Sequence, residues 1–323
     1  MQIREAKASD IPTIVNLLKV SLGESLIPKS QALWEWKHLQ SPFGVSPVWV
    51  AEDNDKLIGV RAYMPWEWTK DEIQLKALRA VDTAVHPHYQ GKGLFKKLSL
   101  GLMEDSSKKG FSFVFNTPNQ KSLPGYLKMG WQKKGKLPLR IAIVRPIHLL
   151  MGILTKSVQP IDLTPMDWSR LKAIPLEDIK KSNFLTTRTS LEFLQWRYAQ
   201  NPLFNYGYIS DEKSYLCIFR IKSYPWSNEL RITELYPLKK ESLINQKHLQ
   251  SQLKKLLAEF PIDFISYSAG SAVPIRSFGK VRFFKAKIGP LLTLRNMTLE
   301  EKEFNDFFKE EAFSMSLGDL ELF

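Results

Sequence analysis

Cysteine is almost absent: the 323-residue chain has one, Cys217. That excludes an internal disulfide framework and any metal site built on several thiolates. Cys217 lies in a strand-like run and is read as a small buried hydrophobe. Long apolar runs are missing too. The longest, from Pro146 to Leu154, follows Arg145 and falls short of the roughly 20 residues that span a bilayer. The Met1 end carries no charged-then-apolar leader, so the expectation is a cytoplasmic protein with neither signal peptide nor membrane partner. What is present fits a globular chain, with 44% hydrophobic and 24% charged residues, which excludes disorder over most of its length. The length predicts two domains or one large one.

Acidic residues are scarce where bases gather. Between Lys92 and Arg145 there are twelve Lys/Arg and only two acids, Glu104 and Asp105, within a chain of net charge +13. The opposite sign collects at the end, where residues 300–323 hold eight acids and two lysines. A basic region of this size is either a solvated face or the footprint of an anion: nucleic acid, a membrane surface or a phosphorylated cofactor. The acidic end is expected to return to the basic region or to stay solvated.

The chain repeats itself. Trp36-Lys37-His38-Leu39-Gln40-Ser41-Pro42 matches Trp196-Arg197-Tyr198-Ala199-Gln200-Asn201-Pro202, a helix end stopped by proline in both copies. Two strand-like runs follow each, and Val81–Pro87 then has its counterpart in Arg231–Pro237 before a long helical pattern. We read a duplication. The first copy predicts helices over 11–22 (Asp10 as N-cap, Pro12 in the first turn), 30–40, 92–109 and 121–129. Strands are expected near 47–52, 57–68, 74–85, 111–116 and across 131–145, with a hairpin turn at 69–72. The second copy predicts helices at 190–199, 242–259 and 299–311. Residues 149–164 are read as a linker that packs. The fold class is a mixed α/β sheet with antiparallel neighbours rather than a doubly wound one.

The most informative stretch runs from Val81 to Leu98. A strand ends at Val85, Pro87 breaks it, and Gln90-Gly91-Lys92-Gly93 opens a helix. Glycines let the backbone turn tightly and leave free N–H groups at a helix N-terminus, where the dipole favours a phosphate. A plain strand-to-helix turn is the simpler reading. Gln90-Gly91-Lys92-Gly93-Leu94-Phe95 resembles the pyrophosphate-binding signature of the GNAT superfamily of N-acetyltransferases, Gln/Arg-x-x-Gly-x-Gly/Ala, with Phe95 in place of the final small residue. A second stretch resembles the same family's Asn-x-x-Ala-x-x-x-Tyr-x-x-x-Gly-Phe: Asn119, Ser122, Tyr126, Gly130 and Trp131 keep its spacing. The resemblance covers residues 1–145; over 160–296 it survives only as the order of elements.

The resemblance implies two tandem acyl-CoA N-acyltransferase folds, a catalytic domain over 1–150 and a degenerate copy over 151–323 that shapes the acceptor site or an interface. It implies acetyl-CoA as cosubstrate and no metal. The coenzyme would be held by Gln90, Gly91, Lys92, Gly93, Leu94 and Phe95, by the backbone of Ala84 and Val85, and by Asn119. Tyr126 would protonate the departing thiolate, and Asp82 would act as base on the amine. The simpler readings are a core aromatic for Tyr126, an ion pair with Arg61 or Arg79 for Asp82, and helix capping for Asn119. The lysines of 92–97 and 133–136 would surround the coenzyme phosphates, so nucleic acid is not required. The acceptor would be the primary amine of a small molecule, amino sugar or peptide. A non-catalytic module binding coenzyme A or a partner, and an aminoacyl transferase of the peptidoglycan-bridge type, stand as alternatives. His86-x-His88 lacks the further ligands a metal needs. Trp66 and Trp68 share a strand face that is either core or one wall of an acceptor cleft. The second copy has Leu238-Lys239-Lys240-Glu241-Ser242-Leu243-Ile244 where the first has its glycines, and no cradle is expected there.

Overall fold

The computed structural model describes residues 1–24, 27–176, 184–238, 244–268, 277–278, 281–286, 288–309 and 312–319. Strand β1 (Gln2–Glu5) leads into helix α1 (Ile11–Leu22), which buries Ile11, Ile14, Val15, Leu17 and Leu18 along one stripe. Asp10 stands at the N-cap of α1 as expected, but its side chain makes no capping bond to that helix. Its carboxylate accepts from the Lys7 amide at 2.7 Å and pairs with Arg4, so it closes the 3-10 turn before the helix. Helix α2 (Gln31–His38) is capped by Ser30, whose hydroxyl accepts from the Leu33 amide at 3.1 Å. Then come β2 (Val48–Asp53), β3 (Lys56–Lys70), β4 (Ile73–Val85), α3 (Leu94–Ser107), β5 (Phe113–Asn116), α4 (Leu123–Lys128) and β6 (Gln132–Lys136).

The second half begins with β7 (Leu139–Ile143) and helix α5 (Pro146–Thr155), where a linker was expected. Strand β8 (Thr186–Thr187) precedes α6 (Leu191–Leu194), which continues as a π turn over Gln195–Ala199. Strands β9 (Gly207–Ser210), β10 (Tyr215–Tyr224) and β11 (Ser227–Pro237) follow, then α7 (Gln246–Glu259) and β12 (Phe264–Ser268). The chain closes with β13 (Ser277–Phe278), β14 (Val281–Arg282), β15 (Phe284–Ala286), β16 (Leu291–Asn296) and α8 (Glu301–Asp306).

Two compact units result, and they do not divide at residue 150. One comprises Met1–Trp68, Gln74–Gly135 and Leu291–Lys309; the other comprises Thr69–Ile73, Lys136–Pro290 and Glu310–Phe323. The first unit's sheet has the order β1-β2-β3-β4-β5-β16-β6, and the second's has β15-β7-β12-β11-β10-β9. In each, a parallel pair (β4 with β5, β11 with β12) is followed by an antiparallel strand supplied from the other half of the sequence. The two sheets therefore share this arrangement, as tandem folds would, with β7 and β16 each supplied from the other half of the sequence.

In the first unit, α3 lays Leu94, Leu98 and Leu102 on the sheet, and Tyr63, Leu78, Val114, Tyr126 and Trp131 form the adjoining core. Trp66 and Trp68 are 1% and 0% exposed and pack edge-on to Phe115. They are core, not a cleft wall. The second unit's core gathers Phe219, Ile232, Leu249, Leu253, Ile265 and Tyr267 around Cys217, which is fully buried in β10.

Candidate active site

Strands β4 and β5 pair only over Ala77–Arg79 with Phe113–Phe115. Beyond that point they part, and a cleft of about 930 Å³ opens between Ala80–Val85 on one side and Asn116–Asn119 on the other. Backbone groups of β4 along this cleft are placed to bond an extended ligand as an added strand would. The cleft floor continues to the start of α3, lined by Gln90, Gly91, Gly93, Leu94, Phe95 and Lys96. Asp82, Ala84, Val85, Asn119 and Tyr126 line it too, so ten of the eleven site residues expected from the sequence meet in one cavity. Lys92 does not line it; its ammonium lies over the Tyr89 ring, 5.0 Å from the centroid.

The turn into α3 needs its glycines. Gly91 and Gly93 have φ of 76° and 75°, and Gly93 is the helix N-cap. A side chain there is strained by its backbone, while the space in front of both Cα atoms is open for 4 Å. The first helical backbone bond is Lys97 N to Gly93 O at 3.1 Å. The preceding N–H groups thus face the cleft as orphan donors at the positive end of the dipole. Lys96, Lys121 and Lys128 add their charges. The 133–136 lysines, by contrast, lie on β6 and do not line the cavity. An open cradle of backbone donors with cations beside it fits a diphosphate-bearing ligand.

Tyr126 sits on α4, 6% exposed, between the edges of Phe95 and Trp131 at 5.5 and 5.1 Å between centroids. Phe95, the departure from the family signature, packs against Gly125 and the Tyr126 ring while still lining the cleft. The Tyr126 oxygen accepts a hydrogen bond of 2.9 Å from Arg61 Nη1. Arg61 is fully buried, stacks 4.2 Å over the Tyr63 ring, and also donates to Thr83. Nothing in the local sequence pairs positions 61 and 126; β3 brings them together.

Asp82 is bound to neither Arg61 nor Arg79. Its Oδ2 lies 2.7 Å from Lys37 Nζ and accepts from His38 Nε2 at 2.9 Å. Both partners come from the last turn of α2, and His38 Nδ1 is 2.9 Å from the Ser46 hydroxyl. Burial alone would raise the Asp82 pKa; the Lys37 charge and the His38 bond outweigh it and hold the carboxyl far below its ordinary range. Such a carboxylate is a poor proton acceptor. Asn119 behaves as a cap: its Oδ1 accepts from the Ser122 amide at 2.9 Å. Gln90 Nε2 donates to the Val85 carbonyl at 3.0 Å. His86 and His88 have ring centroids 5.3 Å apart, and among the described residues no group of three or more His, Cys, Asp or Glu is placed to hold a metal.

The second unit repeats this architecture with a different content. Strands β11 and β12 pair over Glu229–Arg231 with Phe264–Ser266. Three residues past the last pair stands Glu234, as Asp82 does in the first unit. It accepts from the Tyr198 hydroxyl at 2.6 Å, where Asp82 accepts from His38. Here the gap between the strands is bridged by residues 315–319. Gly318 N donates to Thr233 O at 3.1 Å, Ser316 Oγ to Glu234 at 2.7 Å, and Ser268 Oγ to Met315 O at 2.7 Å. Part of the acidic end is therefore neither solvated nor returned to the first unit's basic cleft. The glycine-free turn lies mostly outside the described residues, at 239–243.

Residues 2–133 match the family described as acetyltransferase (GNAT) domain. No curated protein matches the chain. Solved structures of similar fold include a conserved protein of unknown function and probable N-acyltransferase from Enterococcus faecalis V583. That one is 11% identical, with a TM-score of 0.59 over 91% of this chain and 72% of the other. GCN5-related N-acetyltransferases from Anabaena variabilis ATCC 29413 (14% identity, TM-score 0.57, 91% and 72% covered) and Kribbella flavida (13%, 0.57, 91% and 71%) are similar too. At these identities the likeness is one of fold, and it extends over both units.

Proposed function

We propose, from the match of residues 2–133 to the acetyltransferase (GNAT) domain family, that the protein transfers an acetyl group from acetyl-CoA to a primary amine of a small molecule, amino sugar or peptide. The observation that carries the reading is the cleft where β4 and β5 part, which runs from Tyr126 to the glycine cradle of α3. Gly91, Gly93, Leu94 and Phe95 would hold the diphosphate through backbone N–H groups, with Gln90, Lys92 and Lys96 beside them. Ala84 and Val85 would grip the pantetheine arm by main-chain bonds, and Asn119 would face it from the other wall. The bound thioester supplies the activated acyl group.

Tyr126 holds its proton at the phenol oxygen and delivers it to the departing sulfur. Arg61 donates to that same oxygen, so the charge left when the proton moves is met by a cation already in place. Asp82 orders Lys37 and His38 beside the cleft rather than taking a proton from the amine, which passes to solvent. The second unit is assigned no coenzyme, because residues 315–319 stand where the first unit is open. Melting the protein with and without acetyl-CoA tests the reading, followed by thiol release with a panel of amines. An unchanged melting temperature at saturating acetyl-CoA sinks it.

A further inference from the structure

Helix α5 is turned inside out. Ile147 is 80% exposed, Leu154 71% and Leu150 59%, and Met151 and Ile153 are also exposed. Gly152 is its one buried residue. The helix is nonetheless fixed. A Cβ on Gly152 would collide with the Trp226 carbonyl, and Val158 N donates to Pro225 O at 3.0 Å. His148 Nδ1 lies 2.6 Å from Asp263 Oδ1, a fully buried carboxylate that also accepts from the Asn228 amide. One narrow seam therefore ties α5 to the second unit and leaves an apolar face outward, larger than a few scattered side chains.

We propose that α5 is an interfacial anchor that lays the protein on an anionic lipid surface. Arg145 and Lys156 occupy its N-cap and C-cap, so cations bound the apolar face at both ends. From Lys136 to Ile161 the chain carries Lys136, Arg140, Arg145 and Lys156 and no acidic residue. The carboxylates beneath or beside the seam, Asp263 and Glu229, are buried and paired with His148 and Arg231. Next to the seam Tyr224 stacks on Trp226 and Trp226 on Phe264, all half-buried. An apolar helix flanked by cations, with amphipathic rings beside it, has the composition of a segment lying at headgroup depth. Ten residues are too few to cross a bilayer, and no helix of the described residues is long and apolar enough to do so. A second copy suits the face less well: a two-fold contact sets these cations against their equals, with no acid in the stretch to answer them.

Sedimentation of the full chain with phosphatidylcholine vesicles, with and without phosphatidylglycerol, tests this independently of any acyltransfer activity. The protein is expected on the anionic vesicles and not on the neutral ones. Leu150→Ser with Leu154→Ser should cut the bound fraction about tenfold or more while charge and melting temperature stay put. Ile147→Gln with Leu150→Gln serves equally if that pair disturbs folding. Absence of vesicle binding overturns the proposal, as does full binding by these variants, which would reduce it to general basicity. A lipid-free dimer seen by light scattering and dissolved by the same substitutions overturns it in favour of a second copy.

Discussion

At the scale of single residues, the hydrogen bond from Arg61 to Tyr126 carries the most consequence. If Tyr126 is the proton donor as proposed, Tyr126→Phe should lower kcat by roughly 10²–10⁴-fold with little change in acetyl-CoA affinity. Arg61→Met should lower kcat as well, and the double variant should be no worse than Tyr126→Phe alone, because both changes break one unit. Since Arg61 donates to the Tyr126 and Thr83 oxygens, its replacement alone strips buried groups of their donor and should also lower the melting temperature. Additive losses in kinetics would separate the two residues. Asp82 behaves otherwise. Its carboxyl is depressed below 3.8 by Lys37 and His38, so its contribution to stability is present above that pH and lost as the pH falls through the lower folded value. Asp82→Asn should lower the melting temperature at neutral pH and leave the shape of the pH–rate profile intact; loss of one limb of that profile would restore it as the base. The motif made both side chains legible as candidates. Their partners were not, because Lys37 and Arg61 lie 45 and 65 residues away from them and only the sheet closes those distances.

At the scale of elements, α3 and the glycines before it were readable because the requirement is local: a positive φ at Gly93 and an apolar stripe after it. Gly93→Val should abolish the rise in melting temperature expected from acetyl-CoA on the proposed function, since a β-branched residue resists that backbone. Retained binding by a folded Gly93→Val protein speaks against the cradle. The strand carboxylate of the second copy gives a pH test. Burial and the neighbouring Asp319 push Glu234 up to about 8 from 4.5, so it is largely protonated in the fold at neutral pH. The native state then binds a proton that the unfolded chain releases near pH 4.5, and stability falls as pH rises from there through about 8. Glu234→Gln keeps the neutral shape and should flatten that decline, measured by urea melts across the range; an unchanged slope would assign the titration elsewhere. Sequence periodicity could not show that residues 315–319 bridge β11 and β12, because so short a segment has no period and its bonds are to distant strands. The same limit hid α5 as a helix: its apolar run looked like packing material, and no local signal says which side of a helix a protein leaves uncovered.

At the scale of the whole molecule, the repeated order of elements was visible in the sequence, but the exchange of strands was not, because strand sequence does not name the sheet it joins. β16 lies between β5 and β6, and β7 between β15 and β12. A cut at residue 150 therefore removes an interior strand from both sheets and leaves unpaired edges where β5, β6, β12 and β15 had partners. Fragments 1–150 and 151–323 should each be unfolded or aggregated when made alone, with no cooperative melt. Mixed or co-expressed, each restores the other's missing strand, and the pair should regain a cooperative transition. Because the second unit's gap is bridged from within, that pair should bind one acetyl-CoA and not two, by calorimetry. Its affinity should fall with added salt if, as proposed, lysines rather than apolar walls meet the phosphates. A separately folded 1–150 fragment would mean that β16 is dispensable to the first sheet, and two sites in the reassembled pair would mean that residues 315–319 yield to the coenzyme.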